Sequence, residues 1–205
     1  MKKIAAVVSV TLAAVMLAGC SSLTTGVSAH APASAFSAQG ASYVFGHTDA
    51  QNTDADYLRV EARVRGALAA RGLVEAPAAQ AAYRVTVAYA TQSAKVQVST
   101  TTCGGPNQPC LSADGPAPFS LPFSGPLYRH TLALRFVAMN SGKLVYAVVA
   151  ATQDHHPEVL EAEPLLVDSA LARVPFATGN WYVHAKRHDS QPPQVVSIEA
   201  IPAAH

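Results

Sequence analysis

The chain alternates between two hydrophobic periods. Tyr83, Val85, Val87 and Tyr89 are interleaved with Arg84, Thr86, Ala88 and Ala90. That period of two predicts a half-buried strand. Val96 and Val98 extend the pattern into a second strand over Lys95 to Thr102. After a break, Tyr128, His130, Leu132, Leu134 and Phe136 resume the alternation within Leu127 to Ala138. Asn140-Ser141-Gly142-Lys143 is a hairpin turn signal, and Leu144 to Thr152 is the return strand. Ser42-Tyr43-Val44-Phe45 predicts a short first strand.

Helical spacing dominates two other segments. Between Asp54 and Arg71, the residues Tyr57, Val60, Val64, Ala67 and Leu68 fall on one stripe. Thr53 or Asp54 can cap this helix, and Gly72 follows it as a stop. Arg59, Glu61, Arg63 and Arg65 lie mostly off the stripe and predict a solvated face. A second helix is expected from about Pro164, with Glu163 as its cap and Pro at the first helical position. Leu165, Leu166, Ser169, Ala170 and Arg173 follow, and Pro175 ends it. Asn180 to Ala185 is expected as a short segment setting Trp181 on the core. The order strand, helix, four strands, helix predicts the α+β class. The expected architecture is an antiparallel sheet of four to five strands with two helices packed on one face.

The flanks carry neither period. Lys2 and Lys3 precede an apolar run from Ile4 to Leu17, too short to cross a bilayer core. With Leu17-Ala18-Gly19-Cys20 at its end, residues 1–19 are expected to be a lipoprotein signal peptide. Cleavage before Cys20 would leave that thiol to carry the diacylglyceryl group. Several acyl chains hold a protein stably where one binds reversibly. By the sorting rule of Gram-negative bacteria, a residue other than Asp at position 21 points to the outer membrane, facing the periplasm; here it is Ser21. Residues 20–41, rich in Ser, Ala, Thr and Gly, are expected as a flexible lipidated tether reaching roughly 25 Å. Residues 42–187 would form the domain, with a Gly- and Pro-rich loop at 103–126. Residues 188–205 read as a polar tail.

Composition narrows the chemistry. Cleavage removes Lys2 and Lys3, leaving twelve Lys and Arg against thirteen Asp and Glu. A near-neutral chain gives no electrostatic footprint for nucleic acid. Cys103 and Cys110 are an even pair in an oxidising compartment and predict a disulfide across Gly104 to Pro109. The rival reading, half a metal site, needs closer cysteine spacing and a second pair. No nucleophile elbow, zinc-protease helix, phosphate loop or dinucleotide fingerprint occurs. Eight histidines are the remaining enrichment. Asp154-His155-His156 offers a carboxylate and two imidazoles, the donors a small metal or ligand site would use. His184 and His188 would align on a helix, with Lys186 and Arg187 between them. Asp168 and Ser169 lack any residue that would position them as part of a triad.

The markers Tyr43-Val44-Phe45, Ala67-Leu68-Ala69-Ala70-Arg71-Gly72-Leu73 and Tyr83-Arg84-Val85-Thr86-Val87 appear in that order. Asn140 to Tyr146 and Val174-Pro175-Phe176 complete a series over residues 42–177. This series resembles a family of Gram-negative envelope lipoproteins known only as a domain of unknown function. The 103–110 loop departs from it as an insertion. The resemblance implies an α+β periplasmic domain and assigns no catalytic residue and no cofactor. The expected role is that of a non-enzymatic accessory or adaptor with an envelope protein as partner. A periplasmic metal or small-ligand module built on His155 and His156 is the alternative.

Overall fold

The computed structural model describes residues 21–32, 36, 39–94, 102–103, 110–111, 125–187 and 192–201. The first element among the described residues is strand β1, Ser21–His30. Strand β2, Ser42–Phe45, leads through a short 3-10 turn at Gln51–Thr53 into helix α1, Ala55–Ala69. Strands β3 (Val74–Glu75), β4 (Tyr83–Ser93), β5 (Thr102–Cys103) and β6 (Cys110–Leu111) follow. The long hairpin β7 (Tyr128–Ala138) and β8 (Leu144–Asp154) leads to helix α2, Val159–Ala170. Strands β9 (Gly179–Arg187) and β10 (Gln194–Ala200) close the fold.

Eight of these strands form one mixed sheet in the order β10-β9-β1-β8-β7-β4-β2-β3, while β5 and β6 pair separately. β2 runs parallel to both β3 and β4, and every other ladder is antiparallel. The expected four-to-five-stranded antiparallel sheet with two helices on one face is therefore incorrect. The fold is mostly sheet, with only two helices among the described residues.

Three local causes produce the difference. The expected tether holds β1, which lies between β8 and β9 near the middle of the sheet. Its alternate residues Thr25, Val27 and Ala29 are buried. Small polar residues conceal a strand when both its edges are paired, because the ladders satisfy the backbone regardless of side-chain polarity. The expected short segment at 180–185 is the nine-residue β9, and the expected tail contains β10. Finally, β2 joins β4 in parallel because α1 provides the crossover that a parallel pair needs.

The core lies on one face of the sheet. Val85, Val87, Leu132, Leu134, Phe136, Tyr146, Val148, Val27, Trp181 and Val183 meet Tyr57, Val60, Val64 and Leu68 of α1 and Leu166, Val167 and Ala170 of α2. Phe176 stacks on Tyr146 with centroids 4.8 Å apart. A smaller cluster, Val149 and Ala151 with Ala133, lies buried on the other face. β8 is therefore covered on both sides through its central residues.

Local chemistry explains the helix ends. Asp54 caps α1: its carboxylate accepts the N–H groups of Asp56 at 3.0 Å and Tyr57 at 3.1 Å. At the other end Gly72 takes a positive φ of 86°, and Leu73 N–H returns to Leu68 O at 3.1 Å. The α2 start differs from expectation. The helix begins at Val159, Glu163 is buried within it, and Pro164 is internal. Burial of Val159 and Ala162 against the core outweighs the backbone bond that Pro164 cannot donate.

Candidate functional site

The expected Asp154-His155-His156 group sits where β8 leaves the sheet, beside His130 of β7. His130 is fully buried and opposes Thr91 in β4 and Thr152 in β8. Its Nε2 lies 3.1 Å from Asp154 Oδ1 and 3.0 Å from the His156 carbonyl. Both are acceptors, so Nε2 carries the proton and donates. Nδ1, 2.9 Å from Thr91 Oγ1, then accepts the hydroxyl proton in the neutral ring. Asp154 Oδ1 also accepts the His156 N–H at 2.8 Å. Burial pushes the Asp154 carboxyl up, but the His130 and His156 hydrogen bonds and the nearby imidazoles outweigh it. The group lies below its ordinary value.

This arrangement fastens a loop. The Asp154 carboxylate that a metal would need faces inward onto His130, while the His155 Nδ1 lies 3.0 Å from the Pro126 carbonyl. Among the described residues no three His, Cys, Asp or Glu side chains converge as metal ligands. His184 lies on strand β9, not on a helix, with Thr24 Oγ1 3.2 Å from its Nδ1 and Glu199 Oε2 3.5 Å from its Nε2. His188 lies outside the described residues. Ser169 is buried in α2, and its hydroxyl has no hydrogen-bond partner among the described residues. Trp181 is 1% exposed, in the core, with the Arg173 guanidinium 4.9 Å from its ring centroid.

Sequence reasoning missed a second polar cluster. Glu61, placed on the solvated face of α1, is only 3% exposed. It accepts from His47 Nε2 and from Arg65 Nη2, the latter at 2.6 Å. Arg65 Nε also donates to Glu75 Oε2 at 2.7 Å, and its guanidinium covers the Phe45 ring at 5.1 Å. The Glu75 hydrogen bond leads the causes that raise the Arg65 pKa. Tyr43 and Tyr57 nearby are each pushed up to about 12, mainly by burial. The signal was present: Glu61 lies four residues after Tyr57 and three before Val64, on the edge of the apolar stripe. The outer face of α1 keeps Leu58, Arg59, Ala62 and Arg63 exposed.

The two anchoring predictions meet the structure differently. Cys20 lies outside the described residues, immediately before β1. Cys103 stands opposite Cys110 in the β5–β6 ladder. No described helix is long and apolar enough to cross a membrane.

No protein-family model matches the chain, and no curated protein matches it. Among solved structures it is similar to a PDZ domain protein from Parabacteroides distasonis, at 10% identity and a TM-score of 0.44. That match covers 82% of this chain and 40% of that protein, so the chain spans less than half its length. It is also similar to PelC dodecamers from Paraburkholderia phytofirmans. One match has 12% identity and a TM-score of 0.41, covering 73% of this chain and 97% of that one. A second has 14% identity and a TM-score of 0.41, covering 75% and 98%. At these values the likenesses assign neither a family nor an activity.

Proposed function

We propose that this protein is an outer-membrane lipoprotein on the periplasmic face, acting by contact as an accessory or adaptor of the cell envelope. The observation that carries the reading is Leu17-Ala18-Gly19-Cys20 behind a short apolar run and two lysines. Acyl chains on Cys20 would hold the protein, and the sheet would present its helical side to a partner. The outer face of α1 is the proposed contact surface. It combines Leu58, 44% exposed, with the exposed Arg59 and Arg63. Such a mixed apolar and arginine surface suits a protein contact. The polar groups near β8 support contact over catalysis, since His130 and Asp154 are spent on each other and on backbone.

Photo-crosslinking in living cells tests this. Probes at Arg59 and Arg63 and on the 103–126 loop, read by mass spectrometry, should capture one dominant envelope protein from one face. Absence of any specific protein adduct from both positions contradicts the adaptor role.

A further inference from the structure

We propose that the corner of the sheet formed by the start of β1, the end of β9 and the start of β10 lies directly on the phospholipid surface. This rests on acylation of Cys20. The expected tether would have let the domain stand clear of the bilayer. Instead Ser21, the next residue, already pairs with Arg187, and Ser22 with Lys186. The β1–β8 ladder runs from His30 to Gly26, and the Thr152 hydroxyl still donates to the Thr24 carbonyl beyond it, while the β1–β9 ladder continues to Ser21 and Arg187 with Gln194 of β10 beside it. No spacer separates a lipid on Cys20 from this corner.

Its side chains suit that neighbour. Lys186 is exposed and level with Ser22 and Gln194. Arg187 is half-buried, with its guanidinium near the Glu161 carbonyl and carboxylate on α2. Three of the six exposed large apolar side chains of the described residues lie on β10: Val195 at 41%, Val196 at 57% and Ile198 at 39%. Val195 opposes Ala185, which opposes Leu23 of β1. At about 3.3 Å per residue and 4.8 Å per strand, it lies roughly 7 Å along and 10 Å across from Ser21. A register shift between Val195 and Ser197 marks a bulge that breaks the edge ladder at Val196. A regular edge invites another strand, and a bulged one resists it. Apolar side chains near a lipidated end, with a lysine one register position closer to that end, match the boundary between headgroups and acyl chains.

The test uses the full-length protein, expressed with its signal and reconstituted in phosphatidylethanolamine–phosphatidylglycerol vesicles. A p-benzoylphenylalanine photoprobe replaces Val196 in one variant and Val74, on the far edge strand β3, in another. Both sites are exposed, so neither substitution disturbs the core. The expected result is a phospholipid adduct at 196 and none at 74. Lys186→Glu should lower the adduct yield at 196 roughly fivefold. Acylated protein that gives no lipid adduct at 196, or equal adducts at both sites, overturns the docking and leaves the lipoprotein reading intact. A crosslink from 196 to a second copy overturns it in favour of strand pairing. The intact mass of the same sample reports the acyl chains, so an unmodified Cys20 is recognised separately as failure of the anchor itself.

Discussion

Two side chains secure the helix ends of this fold. Asp54 closes the start of α1, and Asp54→Ala should cost about 1 kcal/mol in urea unfolding. Arg71 bridges the helix ends: its Nε donates to the Leu171 carbonyl beyond α2, and its Nη1 to Ala67 O at 2.8 Å. Those carbonyls belong to last turns that lack intrahelical partners. Arg71→Met should therefore destabilise by about 1–3 kcal/mol, measured the same way. Glu163 and Asp154 shift in opposite directions. Burial raises the Glu163 pKa despite Arg63 and Arg59, so the ionised form weakens the fold at neutral pH. Its favourable contribution is complete below the ordinary value of 4.5 and is lost as pH rises through the folded value. Glu163→Gln should melt above the wild type at pH 7, and the difference should close toward pH 4. Asp154 has a lowered pKa, so its contribution is present above 3.8 and lost as pH falls through the folded value. Asp154→Asn should lower the melting temperature at pH 7, with the loss shrinking in acid.

At the scale of elements, β1 decides between the two accounts of the N-terminal region. Val27 is 2% exposed and opposes Ala150 on one side and Trp181 on the other. Val27→Pro should abolish cooperative unfolding by circular dichroism, because proline cannot sit in a strand paired on both edges. In a tether the same change would stay within about 0.5 kcal/mol. The elements legible in the sequence were those whose burial has one face. α1, β4 and the β7–β8 hairpin around Gly142, with its φ of 65°, all lie where their periods and turn residues placed them. β1 was illegible because its strand character comes from ladders on both edges. β10 was illegible because all its residues are exposed and no alternation marks it. In α2, Pro164 concealed a first turn that tertiary burial sustains. The polar sites divide similarly. Asp154 and His156 were visible as a run, but their use depended on His130, 24 residues earlier in sequence from Asp154. Glu61 was hidden by its charge, since an acidic residue beside an apolar stripe is ordinarily solvated.

The whole molecule is a sheet with one helix-covered face, entered by the chain at the first residue after Cys20. If residues 1–19 are a cleaved leader, that entry point sets where the lipid meets the fold. If Cys20 is acylated, the domain has a fixed underside near Ser21, Lys186 and Gln194, and the outer face of α1 remains for a partner. The most direct test is intact-mass spectrometry of the protein extracted from bacterial membranes. The account predicts a chain beginning at Cys20 and carrying three acyl chains, with Cys20→Ala releasing it from the membrane. A chain that keeps its leader, or one cleaved elsewhere with an unmodified Cys20, would contradict it.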